Sequence, residues 1–301
     1  MKTVLVAGGT GLVGSHLCPA LRKENYRVCV LSRSRSGKRS GIEYVRWNPE
    51  KKEIPESIVN EASFIINLSG ANVAAKRWDR RFRQEILDSR VQTTQLLTEA
   101  VAHHNPGLEK FLNASAIGIY GYDRSDEVLT EASTPGEGFL AEVSRKWEQA
   151  TQPLPDPDRL VLLRIGIVLA RSGGALLKMV PPVKLGVGSP LASGRQWLAW
   201  IDIEDLVRMF MHLMKNPDAN GPYNAVAPQP ERNRQFMKKL ARQLKRPFFF
   251  PNVPRFALEL MLGEFAETVS GGLRVLPVRL QEEDFEFRYP QLEQSLKHLL
   301  G

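Results

Sequence analysis

The stretch Val4-Leu-Val-Ala-Gly-Gly-Thr-Gly-Leu-Val-Gly14 decides the fold of this chain. Its pattern predicts a buried strand, a glycine turn and the start of a helix. In the spacing of Gly8, Gly11 and Gly14, one glycine makes the sharp turn, one lets the backbone approach a pyrophosphate, and one lets the helix pack on the strand. Free N–H groups at the helix N-terminus favour the pyrophosphate. We therefore predict a dinucleotide site; the alternative is a turn whose glycines serve packing alone.

The composition is that of an ordinary folded protein, with 43% hydrophobic and 25% charged residues in 301 positions. Cys18 and Cys29 fall at apolar positions, so we expect reduced core cysteines and a cytoplasmic location. The glycines after Lys2 argue against a secretory signal. Because no stretch of about 18 uncharged apolar residues occurs, we expect neither a transmembrane helix nor a membrane partner.

Strand-like and helical patterns alternate through the first half of the chain. The predicted strands are Val4–Ala7, Val28–Leu31, Tyr44–Trp47, Phe64–Leu68, Lys110–Ala114, Leu160–Val168 and Tyr223–Val226. The predicted helices are Ser15–Glu24, Trp78–Ala102, Phe139–Ala150 and, at the end of the chain, Gln291–Leu300. This alternation predicts an α/β fold of the NAD(P)-binding Rossmann type, with a doubly wound parallel sheet.

The alternation stops after Ala170, where glycine and proline become frequent. We predict a Rossmann domain over residues 1–228, a lid insertion over 171–195, and a smaller C-terminal α/β lobe over 229–301 that covers the substrate side.

The end of the second strand, Leu31-Ser-Arg-Ser-Arg35, indicates which dinucleotide is bound. An acidic residue here would accept the ribose 2′-OH of NAD, whereas an arginine accommodates the 2′-phosphate of NADP. No Asp or Glu occurs between Arg27 and Ile42, which favours NADP(H). A solvated basic loop is the alternative.

The net charge of +8 includes a second basic run, Lys76–Arg83, which is either a solvated helix face or a site for an anionic ligand. No recognised nucleic-acid motif supports a nucleic-acid partner. The five histidines lack metal-ligand spacing, and no G-x-S-x-G marks a hydrolase nucleophile, so we predict no metal site.

Small and polar residues follow two further strands, in Asn67–Asn72 and Asn113–Gly121. At the end of the first, they would let a flat adenine and ribose approach the sheet, and a strand end that merely carries small residues is the alternative. The second places Ser115, and with it Tyr120, at the reactive end, where each is a catalytic candidate. Ser115 could equally satisfy only a turn.

Several stretches along the whole chain point to one family. They are Gly8–Gly14, Leu31–Arg33, Asn67–Asn72, Ser89-Arg90-Val-Gln-Thr-Thr, Trp147-Glu148, Arg164-Ile-Gly-Ile-Val-Leu, Gly194-Arg-Gln-Trp-Leu-Ala-Trp-Ile-Asp, Gly221-Pro-Tyr-Asn-Ala-Val-Ala-Pro, Gly271–Pro277 and Asp284–Phe287. Together they resemble the extended and atypical short-chain dehydrogenase/reductases, specifically the nucleoside-diphosphate-sugar epimerase-like NADP-binding proteins that have their own C-terminal domain.

The resemblance implies an NADP site with a defined set of residues. These are Gly8, Thr10, Gly11, Leu12, Val13, Ser32, Arg33, Leu68, Ser69, Gly70, Glu85, Arg90 and Val168. For Glu85 and Arg90, a solvated helix charge is the alternative.

The chain departs from this superfamily in its catalytic dyad. The superfamily uses a Y-x-x-x-K pair, in which the Lys lowers the pKa of the Tyr, the general acid/base. Here Leu140 and Ser144 occupy the matching positions, and Tyr120 and Tyr122 are candidates by proximity alone.

Two functions follow from the sequence. The first is an NADP-dependent oxidoreductase or sugar-nucleotide epimerase-like enzyme, acting on a small or nucleotide-linked carbonyl or alcohol. The second is a non-catalytic NADP(H)-binding sensor or regulatory protein. For either we expect a monomer or homodimer.

Overall fold

The computed structural model describes residues Met1 to Gly301 and is built around one large sheet. The strands are β1 (Thr3–Ala7), β2 (Arg27–Ser32), β3 (Gly37–Arg39), β4 (Ile42–Arg46), β5 (Phe64–Asn67), β6 (Lys110–Ala116), β7 (Val128–Leu129), β8 (Leu160–Ile165), β9 (Ile167–Ala170), β10 (Trp197–Leu198), β11 (Trp200–Asp202), β12 (Gly221–Ala225), β13 (Glu231–Arg232) and β14 (Arg274–Val275).

Eleven α-helices surround the sheet. They are α1 (Leu12–Lys23), α2 (Glu56–Asn60), α3 (Arg80–His104), α4 (Phe139–Gln149), α5 (Gly174–Lys184), α6 (Ile203–Lys215), α7 (Asn233–Gln243), α8 (Arg255–Leu262), α9 (Phe265–Ser270), α10 (Val278–Glu282) and α11 (Leu292–Leu300). None of them combines the length and hydrophobicity that crossing a membrane requires.

The large sheet has the strand order β12-β8-β6-β5-β1-β2-β4-β3, and only the edge strand β3 runs antiparallel to its neighbour. Strands β1 and β5 lie side by side although β2 follows β1 in the chain, so the strand order reverses at this point. In open α/β sheets, ligands bind in the crevice beyond the carboxyl ends of the strands at such a reversal. The predicted Rossmann fold is confirmed.

Two hydrophobic cores cover the two faces of the sheet. All five residues of β1 are buried, as expected for a central parallel strand with helices on both sides. Alternate residues contribute to different cores: Val4 and Val6 pack with α1 and α6, whereas Leu5 and Ala7 pack with α2 and α3. The alternation of side chains along the strand thus joins both layers to one sheet.

The structure corrects the single predicted strand Leu160–Val168. The chain breaks at Gly166 into β8, which pairs in the large sheet, and β9, which pairs with β11. At Gly166 the backbone passes so close to Ala199 that a Cβ would lie 2.5 Å from the Ala199 carbonyl oxygen. The apolar run therefore serves two sheets, and only glycine fits between them.

Strand β3 and helix α5 are among the elements that the sequence pattern did not predict. The basic segment after β2 returns as β3, which pairs with β4 from Gly37 to Arg39. The Gly/Pro-rich segment contains α5, which carries Pro181 and Pro182 inside the helix. Because proline normally disfavours a helix interior, the two prolines in the sequence argued against a helix here.

The C-terminal part packs closely on the Rossmann sheet. Helices α7 and α11 contribute buried residues, among them Phe236 and Leu296, to the core shared with α1 and α6. Strand β14 pairs with β7, which joins residues 274–275 to residues 128–129. The boundary at residue 228 stays a prediction.

Candidate functional site

The glycine turn between β1 and α1 has the geometry that a dinucleotide site needs. Gly8 has φ +77°, and a Cβ there would lie 2.6 Å from the backbone of Leu68. Gly14 packs so tightly that a Cβ would lie 2.4 Å from the Cα of Gly9. Gly11 is different, since its Cβ would meet only the Gly8 carbonyl oxygen, at 3.3 Å. Gly8 and Gly14 thus shape the turn, while Gly11 is exposed beside the helix N-terminus, together with Thr10.

The end of β2 carries a positive charge without a partner. Ser32 is buried, and its Oγ accepts hydrogen bonds from the backbone N–H groups of Ser34 and Arg35, which turns the chain sharply. Arg33 lies in this turn, exposed and without any carboxylate within salt-bridge distance. The geometry fits a group that meets an anion from solvent.

A buried amide holds the loop after β5 in place. Asn67 Nδ2 donates to Thr94 Oγ1 on α3 at 2.9 Å and to Asn113 Oδ1 on β6 at 2.8 Å, and Asn67 Oδ1 accepts from the Ser69 N–H. The Ser89 Oγ accepts from the Ala71 N–H at 2.9 Å. Helix α3 therefore positions the loop that contains Leu68, Ser69 and Gly70 at the crevice.

Arg90 on α3 is a half-buried positive charge beside the loop after β5. Its guanidinium donates to the carbonyl oxygens of Ile86 and Ala71, at 2.9 and 3.1 Å, and packs over the Trp147 ring. Burial lowers the pKa of Arg90 to about 10, so it stays charged at neutral pH. It touches Gly70, whose Cβ would lie 3.0 Å from the guanidinium carbon.

Glu85, unlike Arg90, lies on the exposed side of α3. It pairs with Lys76 at 3.2 Å. The predicted cofactor contact of Glu85 stays a prediction. Arg83, from the same basic run, pairs with Glu264 of the C-terminal part at 2.7 Å.

Helix α5 begins over the glycine turn. A Cβ on Gly173, just before α5, would lie 2.8 Å from Leu12, and one on Gly174 would lie 2.5 Å from the Val168 carbonyl oxygen. Further along, Lys178 donates to the Ala74 carbonyl in the loop after β5. Four apolar residues here are half-buried and pack against the core that contains α1 and α6: Leu12, Val13, Leu68 and Val168. The segment predicted to be a lid thus extends from the glycine turn to the loop after β5.

The two catalytic candidates lie in a buried hydrogen-bond network at the carboxyl ends of β6 and β8. Ser115 is 2% exposed, and its Oγ donates to Glu148 at 2.6 Å. Arg164 donates to both oxygens of Glu148, at 2.9 and 3.0 Å, and to the Tyr120 hydroxyl at 3.0 Å. Burial raises the pKa of Tyr120, the opposite of what an activated tyrosine requires. These contacts hold both side chains inside the protein, and the catalytic assignment of Ser115 and Tyr120 stays a prediction.

A separate apolar chamber of about 230 Å³ opens beyond the ends of β6 and β8. Its lining includes Ala116, Leu140, Ser144 and Trp147, so the positions that match the superfamily dyad face this space. The Gly118 Cβ position lies 3.2 Å from Leu140 and 3.7 Å from the Ser144 hydroxyl. We call this space the chamber; residues of the C-terminal part, including Thr268 and Leu273, close it.

Two chamber residues were missed by sequence reasoning. The Trp147 Nε1 donates to Thr94 Oγ1 at 3.0 Å, which fixes the indole wall. Thr268 Oγ1 is buried without a hydrogen-bond partner. The Trp147-Glu148 motif gave a signal for the first, but nothing in the local sequence around Thr268 indicates that α9 reaches the end of β6.

The strand order, the glycine turn and the crevice define an NAD(P)-binding Rossmann protein. The NAD dependent epimerase/dehydratase family matches residues 4–140, and the family described as Domain of unknown function (DUF1731) matches residues 253–299.

Full-length relatives agree with these matches. The epimerase family protein Mb2239 of Mycobacterium bovis is 37% identical over 97% of this chain and 96% of its own length. The chloroplastic SDR39U1 homolog of Arabidopsis thaliana is 36% identical over 99% of this chain and 86% of its own length.

A solved structure shows the same fold over nearly the whole chain. The human epimerase family protein SDR39U1, crystallised with NADPH, superposes with a TM-score of 0.89 at 30% identity, covering 99% of both chains. The chain belongs to the epimerase family and carries the DUF1731 domain at its C-terminal end. The resemblance inferred from the sequence is thereby confirmed.

Proposed function

We propose that this protein binds NADP(H) in the crevice and is an oxidoreductase that acts on a carbonyl or alcohol substrate. The residues fit the cofactor: the backbone at Gly11 leaves room for a pyrophosphate, and the unpaired Arg33 suits a 2′-phosphate. The similar human protein was crystallised with NADPH, which supports the same choice here.

The observation that carries the proposal is the position of the chamber. It opens at the ends of β6 and β8, next to the strands whose loops form the crevice, and Arg90 contacts both spaces. When bound, the cofactor would supply or accept a hydride. The apolar lining would exclude water from the reacting oxygen.

The proton must come from a hydroxyl or from water. Arg90 and Tyr122 are the ionisable side chains that line the chamber, which contains no carboxylate, lysine or histidine. The Tyr122 hydroxyl accepts the Phe139 N–H at 3.0 Å, so its own proton is free to be donated. Burial raises the pKa of Tyr122, so we expect proton transfer, and hence turnover, to be slow.

The same lining favours a second candidate, a non-catalytic NADP(H)-binding sensor. Leu140 and Ser144 stand where the superfamily has its acid/base pair. A sensor needs the cofactor crevice and a mobile cover but no proton donor.

Gly11→Val separates binding from folding. The Cβ meets one carbonyl oxygen and φ is −77°, so the fold tolerates the substitution while the side chain blocks the pyrophosphate. We expect thermal unfolding within about 3 °C of wild type and NADPH affinity reduced at least about 100-fold, or ~2.7 kcal/mol, by calorimetry. Gly14→Val, whose Cβ would clash with Gly9, is the control that should lose stability. Normal NADPH binding by Gly11→Val would contradict the proposed site.

Oxidation of NADPH with a panel of ketones, aldehydes and sugar nucleotides tests the chemistry. We expect at least one substrate to be reduced by wild type and none by Gly11→Val. Tight NADPH binding without any oxidation would favour the sensor.

We further propose a cytoplasmic location and a monomeric or homodimeric state. Cys18 and Cys29 are free and buried, which suits a reducing compartment. The chloroplastic relative shows that the family is not confined to one compartment.

A further inference from the structure

We propose that the chamber binds a compact, uncharged and mostly apolar compound with one hydrogen-bonding oxygen, such as a neutral ketone or its alcohol, and rejects nucleoside diphosphate sugars. This inference rests on the proposed function, because it places the substrate of that reaction in the chamber.

The size and lining of the chamber favour a small apolar occupant. Its volume is about 230 Å³, below the roughly 300–1,000 Å³ of pockets that enclose drug-sized ligands. Thirteen of its twenty-one lining residues are hydrophobic, with Trp147 and Trp197 among them. Binding here must come mainly from removal of apolar surface from water.

The charges of the chamber do not suit a diphosphate. Arg90 is the one charged residue in its lining, and its guanidinium already donates to Ile86 and Ala71 and packs on Trp147. A diphosphate moved into this space would lose its hydration without gaining enough donors.

The neighbouring polar cleft does not supply the missing cations. It shares Gly121 and Tyr122 with the chamber and has a volume of about 1170 Å³. Its charged lining residues are Arg77, Arg83, Arg124 and Arg255 against Asp123, Glu137, Glu259, Glu264 and Glu267. Three of the four arginines already pair with carboxylates, at 2.7 to 2.8 Å. With carboxylates in excess, this cleft would repel the diphosphate of a sugar nucleotide.

Besides the Tyr122 hydroxyl, two further hydroxyl groups in the chamber define the polar part of the ligand. Ser144 is 2% exposed, and the buried Thr268 Oγ1 has no hydrogen-bond partner in the protein. A buried hydroxyl without a partner is unfavourable, and a ligand oxygen that accepts its proton removes that penalty. The chamber therefore suits one carbonyl or hydroxyl oxygen on an apolar frame.

Calorimetry on the protein saturated with NADP⁺ tests this inference without turnover of ketones. The probes are cyclohexanone, acetophenone and UDP-glucose. We expect at least one of the two ketones to bind at least about tenfold more tightly than UDP-glucose. Ala116→Leu, which fills the chamber, should weaken ketone binding at least about tenfold, and Thr268→Val about threefold to tenfold. Thr134→Val, on an exposed threonine outside the chamber, is the matched control and should change neither.

NADP⁺ titrations distinguish failure of the proposed function from failure of the proposed substrate class. Protein that does not bind NADP⁺ would contradict the proposed function. Normal NADP⁺ affinity combined with tighter binding of UDP-glucose, or with no ketone binding, would overturn the substrate class alone. Ketone binding that neither Ala116→Leu nor Thr268→Val weakens would also overturn it, provided that both variants bind NADP⁺ as wild type does.

Discussion

Tyr120 shows at the scale of one residue how position limits chemistry. Its hydroxyl lies 2.8 Å from Asn224 Oδ1 and 2.9 Å from the Thr130 carbonyl oxygen, and it accepts from Arg164. The phenol has a single proton, and two acceptor oxygens inside the protein already lie within its reach, so that proton is not free for a substrate. We propose that Tyr120 positions the strand ends around the crevice.

Tyr120→Phe distinguishes positioning from catalysis. The variant removes the hydroxyl and leaves the buried Arg164 short of a partner, so we expect the free energy of unfolding to fall by about 1–3 kcal/mol. NADPH affinity should stay within about twofold of wild type, because Tyr120 does not line the chamber. Urea unfolding and calorimetry measure the two effects. Unchanged stability combined with abolished NADPH oxidation would instead support a catalytic Tyr120.

Glu131 gives stability a dependence on pH. It is buried, its Oε1 accepts the Asn224 N–H at 3.0 Å, and its Oε2 has no partner. Burial raises the pKa of this carboxyl above its ordinary value. The stability it contributes is therefore fully present below the ordinary pKa of about 4.3 and is lost as the pH rises through the higher folded-state value.

Glu131→Gln should remove this dependence, since an amide retains the Asn224 contact and does not ionise. We expect the stability of the variant relative to wild type to increase between about pH 4 and about pH 8 in urea unfolding. Glu137→Gln, on an exposed glutamate, is the control and should show no such trend. A relative stability that falls with rising pH would contradict the sign.

At the scale of elements, we propose that α5 is a movable cover of the crevice. It begins beside Leu12 at the start of α1 and reaches Ala74 in the loop after β5 through Lys178, so it bridges the glycine turn and that loop. A cofactor bound beneath it would add contacts to both ends and slow its local opening.

Hydrogen exchange over residues 174–184 measures this closure. We expect exchange to slow by about tenfold or more when NADPH saturates the wild-type protein. Gly11→Val should show no change at the same NADPH concentration. Equal exchange with and without NADPH in wild type would argue that α5 is a fixed part of the fold.

The elements that sequence predicts best are those with local causes. The glycine turn, the buried strand β1 and helix α3 follow from residue pattern, and Asp79 caps α3 by accepting the Phe82 N–H. Helix α5 and the break at Gly166 have long-range causes. One lies against Leu12 and the other against Ala199, so tertiary contacts override the local pattern.

At the scale of the whole molecule, the cofactor crevice and the chamber differ in how far they could be predicted. The crevice is formed by loops that each follow a strand. Because the strands are parallel, their carboxyl ends lie on the same side of the sheet, so the sequence predicts that these loops come together. The chamber joins Ala116, Ser144 and Thr268, which no sequence spacing connects. Only the packing of the C-terminal part on the sheet, through β14 and α9, brings Thr268 to the chamber at the end of β6.

Binding of NADPH and NADH, titrated in parallel by calorimetry against wild type and Arg33→Ala, tests the central claim most directly. Arg33 is exposed, without a carboxylate partner, at the end of β2. We expect wild type to prefer NADPH by about tenfold or more, and Arg33→Ala to lose about 1.5–3 kcal/mol for NADPH while its NADH affinity stays unchanged. Arg46→Ala, on an exposed arginine that ends the adjacent strand β4, is the control and should keep the preference. Equal affinity of wild type for NADPH and NADH would contradict the claim that this edge of the sheet is an NADP(H) site.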